Sequence, residues 1–294
     1  MANLLPGPTG PTSRRRRLSD EETGRRMLDA ALAVVNRAGL TVGLDHISFE
    51  DVIRDAAVSR TAAYRRWPYK DLFFSDLLKE LARAAAPAST VQPGVFEASL
   101  AKAVAAHRDT LTAPQGRHEI LVELLRENAM EDFQAVRAAP EWRTYLALHA
   151  TFMSLPDGDL RDEIRVALAA SEQGFIERVA FAWQALSALF GYRIRPGSGG
   201  SFTIIAILVS ASLRGLVTMA LSDPQLATRS VRADPAGAGA GDWSIASMAV
   251  ASVAFTFLEA DPDFEWDEQR LASIPDVIRA VLPGSAASGA ATGG

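Results

Sequence analysis

A chain of 294 residues with 48% hydrophobic content is long enough for about two domains and a sizeable core. The absence of cysteine excludes disulfides, thiolate nucleophiles and cysteine metal sites, and fits a reducing cytoplasm. Net charge is −5 but unevenly spread: residues 14–70 hold 12 Lys/Arg against 8 Asp/Glu, and the remainder 18 against 27. The chain therefore does not coat nucleic acid along its whole surface; it concentrates positive charge near one end.

The leader MANLLPGPTGPTS lacks the apolar core of a secretory signal and runs into four arginines, Arg14, Arg15, Arg16 and Arg17. Residues 1–18 are read as a flexible basic arm. Such an arm either reaches into a minor groove beside a DNA-binding domain or adds only solvated, nonspecific charge. A first helix follows. Ser19 and Glu22 have capping-box spacing, Leu28, Ala31, Leu32 and Val35 form an apolar stripe, and Gly39 supplies a left-handed stop.

Ser48 and Asp51 repeat the capping-box spacing, and Phe49, Val52, Ile53 and Ala56 give the next helix one inward face. Ala57-Val58 breaks it, Ser59 caps another short helix from Arg60 to about Trp67, and Pro68 stops that one. Two short helices joined by such a turn describe a helix-turn-helix, whose second helix enters the major groove. That helix lies in RTAAYRRWPYK, residues 60–70, with four basic residues, interleaved aromatics and no acid. The pattern suits a surface pressed against phosphates with a few side chains free for base edges; the alternative is a solvated charged face.

The run ISFEDVIRDAAVSRTAAYRRWPYKDLF resembles the DNA-binding domain of the tetracycline-repressor family of bacterial transcription regulators. That family's form is a Thr-capped helix, an A-G-V-S turn, a T-x-Y-R-Y-F-type recognition helix and a P-x-K opening a long connecting helix. The resemblance covers roughly residues 19 to 85. In departure from it, Ala57 stands where glycine is usual, Trp67 replaces Phe or Tyr, Tyr69 replaces a small polar cap, and the connection 40–47 is a few residues longer. The resemblance implies a DNA-binding domain over 19–86, with Thr61, Tyr64 and Arg65 on the recognition helix that Ser59 caps and Arg60 opens. It also places Ser48, Tyr64 and Lys70 for phosphates. Arg60 and Arg65 have the fork geometry to read guanine. Arg66 either joins them or points back to the protein, and Tyr64 and Trp67 have the alternative of filling the three-helix core.

Beyond residue 87 Pro/Gly punctuation separates further helices. A linker at 87–93 precedes helices expected over 95–111, 117–133, 141–153 and 160–191. A glycine-rich turn spans 192–201. Segments 202–221 and 243–258 are the most apolar, and the Pro/Gly/Ala-rich stretch 223–242 between them reads as mobile. A weaker helix is expected at 267–282 and a disordered tail at 284–294. No alternating strand stands out, so the fold class is all-α: an N-terminal three-helix unit followed by a helical domain over 87–283.

Segment 202–221 is long enough to span a membrane, but Arg214 lies inside it and Ser210, Ser212 and Thr218 dilute it. In a soluble chain helices apolar all round must be buried, in the core or against a partner. The resemblance implies the latter: a homodimer through 202–221 and 243–258, two recognition helices facing a pseudo-palindromic operator, and release by a small effector bound in the C-terminal domain. Trp142, His149, Phe152, Phe175 and Trp183 are the lining candidates, although aromatics at helical spacing are more often core. Arg214 would bind an acid or pair across the dimer.

Catalytic readings fare worse. GSGGS at 197–201 matches neither a P-loop nor a nucleophile elbow, and the four histidines do not pair at zinc spacing. The acids at 157–163 fit a helix start, and those at 261–268 a solvated loop. The sequence thus describes a cytoplasmic transcription regulator with no cofactor, no metal and no membrane span. A ligand-relieved repressor is expected, with a ligand-independent regulator or activator, or an all-helical enzyme, as alternatives.

Overall fold

The computed structural model describes residues 19–38, 44, 47–85, 93–267, 269–270, 272–273 and 276–277. The arm bearing Arg14, Arg15, Arg16 and Arg17, the stop at Gly39, most of the 40–47 connection, nearly all of the 87–93 linker, most of the 267–282 helix and the 284–294 tail lie outside these residues.

The chain is mostly helical, with ten α-helices among the described residues. Serine caps start the first ones. Ser19 Oγ accepts from Glu22 N–H at 3.0 Å to open α1 (Asp20–Ala38). Ser48 and Ser59 accept at 3.2 Å from Asp51 and Ala62 to open α2 (Phe49–Asp55) and α3 (Arg60–Arg66). The longer α4 (Lys70–Ala84) follows Pro68 and has no side-chain cap, Tyr69 standing at its N-cap. After it come α5 (Pro93–Ala106), a 3-10 turn at Arg108–Thr110, α6 (Pro114–Ala138), α7 (Pro140–Ser154) and the 32-residue α8 (Asp159–Phe190). Proline opens both α6 and α7, where its missing N–H has no helical partner to lose. Last come α9 (Phe202–Met219) and α10 (Ile245–Phe257).

One core joins the N-terminal helices to the rest. Met27, Val35, Phe49, Trp67, Phe73 and Leu77 are buried together, and the same cluster takes in Leu148 of α7 and Ile164 of α8. Phe73, wholly buried, packs its ring against those of Phe49, Trp67 and Phe74. The helix α4 lies along α8, where Lys79 Nζ meets Glu163 Oε2 at 2.5 Å. A second cluster gathers α5, α6, the end of α8, α9 and α10 around Leu100, Ile120, Phe190, Ile205 and Ala254.

Four short strands correct the expectation of helix and turn alone. The first, β1 (Tyr192–Ile194), occupies the start of the expected glycine-rich turn. It pairs antiparallel with β4 (Leu258–Ala260), with Arg193 opposite Glu259. The stretch 223–242 is also structured: a 3-10 turn at Pro224–Ala227 leads to β2 (Ser230–Ala233), which pairs antiparallel with β3 (Gly241–Ser244), Val231 opposite Trp243. Asp234 Oδ1 accepts from Ala238 N–H inside that hairpin, and His118 Nε2 and Gln134 Nε2 bond the carbonyls of Ala236 and Ala227 from α6. Trp243 therefore lies in a strand, and the helix after it starts at Ile245 under a Ser244 cap.

The apolar helix α9 is covered on one side only. Among the described residues it is the one helix long and apolar enough to cross a membrane. It buries Ile205, Ala206, Val209 and Val217 against α8 and α10, yet leaves Ile204, Ile207, Leu208 and Met219 exposed. In contrast, α10 is enclosed between α6 and α9, with Ser252 and Thr256 its exposed positions.

Candidate nucleic-acid interface

The side chains of α3 divide by helical angle. Ala63 and Trp67 face inward, with 0% and 2% exposure, while Arg60, Thr61, Tyr64 and Arg65 share a solvent-facing stripe. Trp67 is a core plug, its Nε1 donating to Asp76 Oδ2 at 2.9 Å. Arg66 turns back: its guanidinium lies over the Trp67 ring at 5.5 Å and against Gly24 of α1. Tyr64 is 44% exposed, its ring edge-on to Phe49. Ser48 and Ser59 are exposed, each occupied by its capping bond. Lys70 stands exposed at the first turn of α4, with no ion pair among the described residues.

Although residues 60–70 contain no acid, the fold brings acids to them. Arg60 Nη2 lies 2.6 Å from Glu50 Oε2, and Tyr64 donates its hydroxyl to Glu50 Oε1 at 2.9 Å. That bond to a carboxylate holds the Tyr64 phenol above its ordinary pKa, loss of hydration adding to the effect. Arg65 donates its Nε to Asp20 Oδ1 at 3.0 Å, with a second, closer contact from Nη2. Ion pairs this exposed are worth about 0–1 kcal/mol, so a phosphate or a base edge competes with them at little cost. Sequence spacing holds no hint of the Asp20–Arg65 pair, which joins residues 45 apart.

Between α2 and α3 the chain turns through Ala56–Ser59, and Ala57 has φ +52°. This left-handed conformation suits glycine, and alanine meets it at a cost of about 1–2 kcal/mol. The turn is thus made as a glycine would make it, with the strain retained.

The five effector candidates are brought together only in part: Trp142 and His149 both lie on the Tyr145 ring, and Phe175 shares the Arg214 guanidinium with Tyr145, whereas Phe152 and Trp183 lie apart. Trp142 joins Phe133 and Val217, Phe152 packs on the N-terminal core under Arg161, Phe175 lies with Ile176 and Ala206, and Trp183 belongs to the second cluster. The His149 ring lies tilted against that of Tyr145, with centroids 4.1 Å apart, and bonds the Tyr145 carbonyl through Nδ1. Arg214, expected to meet an acid ligand or a partner subunit, pairs within the chain: Nη1 reaches Glu172 Oε1 at 2.5 Å and the Tyr145 hydroxyl at 3.1 Å, and its guanidinium covers the Phe175 ring. A groove of about 890 Å³ lies elsewhere, lined by none of the five. Scans against protein-family models, curated proteins and solved structures return no match.

Proposed function

We propose that the chain is a DNA-binding transcription regulator of the tetracycline-repressor type, with α2 and α3 as its helix-turn-helix and residues 19–86 as its DNA-binding domain. The observation that carries the reading is the division of α3: Trp67 and Ala63 anchor it while Arg60, Thr61, Tyr64 and Arg65 are presented together to solvent. Arg60 and Arg65 exchange their weak carboxylate partners for base edges, and Lys70, beside the amides that open α4, meets a phosphate.

A homodimer sets two such helices against one duplex. The exposed row Ile204, Ile207, Leu208 and Met219 on α9 supports α9 as its pairing surface, together with Phe181, also exposed, on α8. The 243–258 segment contributes less than the sequence suggests, because α10 is already enclosed. A membrane span is disfavoured by Arg214, whose charge is balanced by Glu172 of α8 within the same fold. An effector that binds the DNA-incompetent conformation more tightly relieves repression, in the cytoplasm and without a cofactor. Selection of random duplexes with purified protein tests the reading: enrichment of a two-fold-symmetric motif supports it, and recovery of no motif refutes it.

A further inference from the structure

The N-terminal helices rest on the remainder of the chain at two supports. Helix α4 lies along α8, with Lys79 against Glu163. Helix α7 is the second support: Leu148 and Phe152 of its C-terminal half pack into the core built by α1, α2 and α4, and it meets α1 as well as α4. A single line of contact leaves a body free to rock about it, and a second contact removes that freedom.

The N-terminal half of α7 stands in a different core, with Trp142 against Phe133 of α6 and Val217 of α9. Its polar tie there is the Tyr145 hydroxyl, which donates to Glu172 Oε2 of α8 at 3.2 Å and accepts from Arg214 Nη1 of α9 at 3.1 Å. Arg214 Nη1 also meets Glu172 Oε1 at 2.5 Å, so three helices close on one triangle of side chains. The Tyr145 ring is held in turn, stacked 15° from parallel on that of Trp142 and lying under the Arg214 guanidinium. Helices α8 and α9 pack along each other without help from this triangle, whereas α7 meets α8 less closely and depends on it more. Arg214 Nη2 is buried with no hydrogen-bond partner among the described residues, an expensive feature to keep. A largely buried ion pair adds little net stability after its loss of hydration, and its better use is to fix one arrangement.

We propose that Tyr145 is a positioning residue for DNA binding: by pinning α7 to α8 and α9 it fixes the tilt of α3 relative to the α9 face, and so the half-site spacing that a dimer accepts. The proposal rests on the DNA-binding reading with α9 as the pairing surface, and Tyr145 acts through α7, not through contact with DNA. A rigidly held second recognition helix meets its half-site at high effective concentration only where the spacing fits, and a loosened one spreads that advantage over neighbouring spacings. One inserted base pair moves the half-sites about 3.4 Å further apart and turns them by roughly 35°.

Fluorescence anisotropy of the full chain tests it on three duplexes: the selected two-half-site motif, the same motif with one base pair inserted at its centre, and a single half-site. The parent should lose about tenfold or more in affinity on the insertion. Tyr145→Phe keeps the ring on Trp142 and removes the hydroxyl; Arg214→Met removes the cation. Both variants should lose less than about threefold on the insertion, bind the selected motif about fivefold more weakly than the parent, and match it on the half-site within about twofold. Loss of folded protein would lower half-site binding as well, so an unchanged half-site separates positioning from stability. Variants that keep the parent's insertion penalty, or that weaken on all three duplexes alike, overturn the proposal and leave the DNA-binding reading standing. A parent that binds two half-sites no better than one overturns the proposal together with the dimeric reading. Should Arg214→Met not fold, Tyr145→Phe decides.

Discussion

Ala57→Gly should stabilise the protein. Among the described residues Ala57 is the one non-glycine with positive φ, at +52°, and it forms the middle of the turn between α2 and α3. A left-handed alanine costs about 1–2 kcal/mol, and glycine gives back roughly 0.5–1 kcal/mol through the greater freedom of its unfolded chain. The balance favours glycine by about 0.5–1 kcal/mol. Little else changes: Ala57 is exposed, so its methyl group packs against no core, and its N–H still donates to Arg54 O at 3.0 Å. Urea unfolding followed by circular dichroism should show a higher midpoint with unchanged slope, equivalent to roughly 1–4 °C in Tm for a chain of this size. Ala57→Val should move the midpoint the other way, by roughly 1–2 kcal/mol, because a β-branched side chain tolerates this conformation least. An unchanged or lower midpoint for the glycine variant would mean that the turn is not left-handed at this position, and the aim of α3 relative to α2 would be wrong.

Glu50→Gln, which removes the carboxylate shared by Arg60 and Tyr64, should raise affinity for a selected duplex by up to about fivefold in fluorescence anisotropy; a loss of affinity would show that Glu50 orients these residues instead of competing for them. Ile207→Glu combined with Leu208→Glu should convert a dimer to a monomer in light scattering, and a double variant that stays dimeric removes α9 from the interface. Half-buried Asp132 on α6 is pushed up to about 7 by the loss of hydration, with Glu131 adding to the effect. Since a free aspartate titrates near 3.9, the folded state holds this proton more tightly, and the resulting stability is full below about pH 4 and lost as pH rises through 7. Asp132→Asn should flatten that fall and stabilise the protein at pH 8 by roughly 1–4 kcal/mol; an unaltered pH profile of unfolding would refute the assignment.

What the sequence disclosed and what it concealed follow from the range of the interactions involved. The caps at Ser19, Ser48 and Ser59 were legible because each bond closes within three residues. The inward Trp67 was legible because helical spacing places it with Ala63. The hairpin of β2 and β3 was not, since strands of four residues are too short to display alternation and the anchors from His118 and Gln134 lie about a hundred residues away. Composition marked α9 as apolar all round but says nothing of which side a neighbour covers. The effector candidates share helical faces, yet Trp142 and Phe152 stand roughly 15 Å apart along α7 and enter different cores. In the same way, Tyr145 and Arg214 meet only once α7 and α9 are folded together.

The central claim is that α3 and the start of α4 lie on DNA. It is tested most directly by the salt dependence of duplex binding in the parent, Arg60→Ala and Lys70→Ala proteins. Removing one cation that neutralises a phosphate should lower the slope of log K against log salt by about 1, so Lys70→Ala should bind more weakly and with a shallower slope. Arg60→Ala should lose discrimination between the selected motif and its single-base variants, by about 1–3 kcal/mol at one position. If both variants bind the motif with the parent's affinity, slope and discrimination, the account is contradicted.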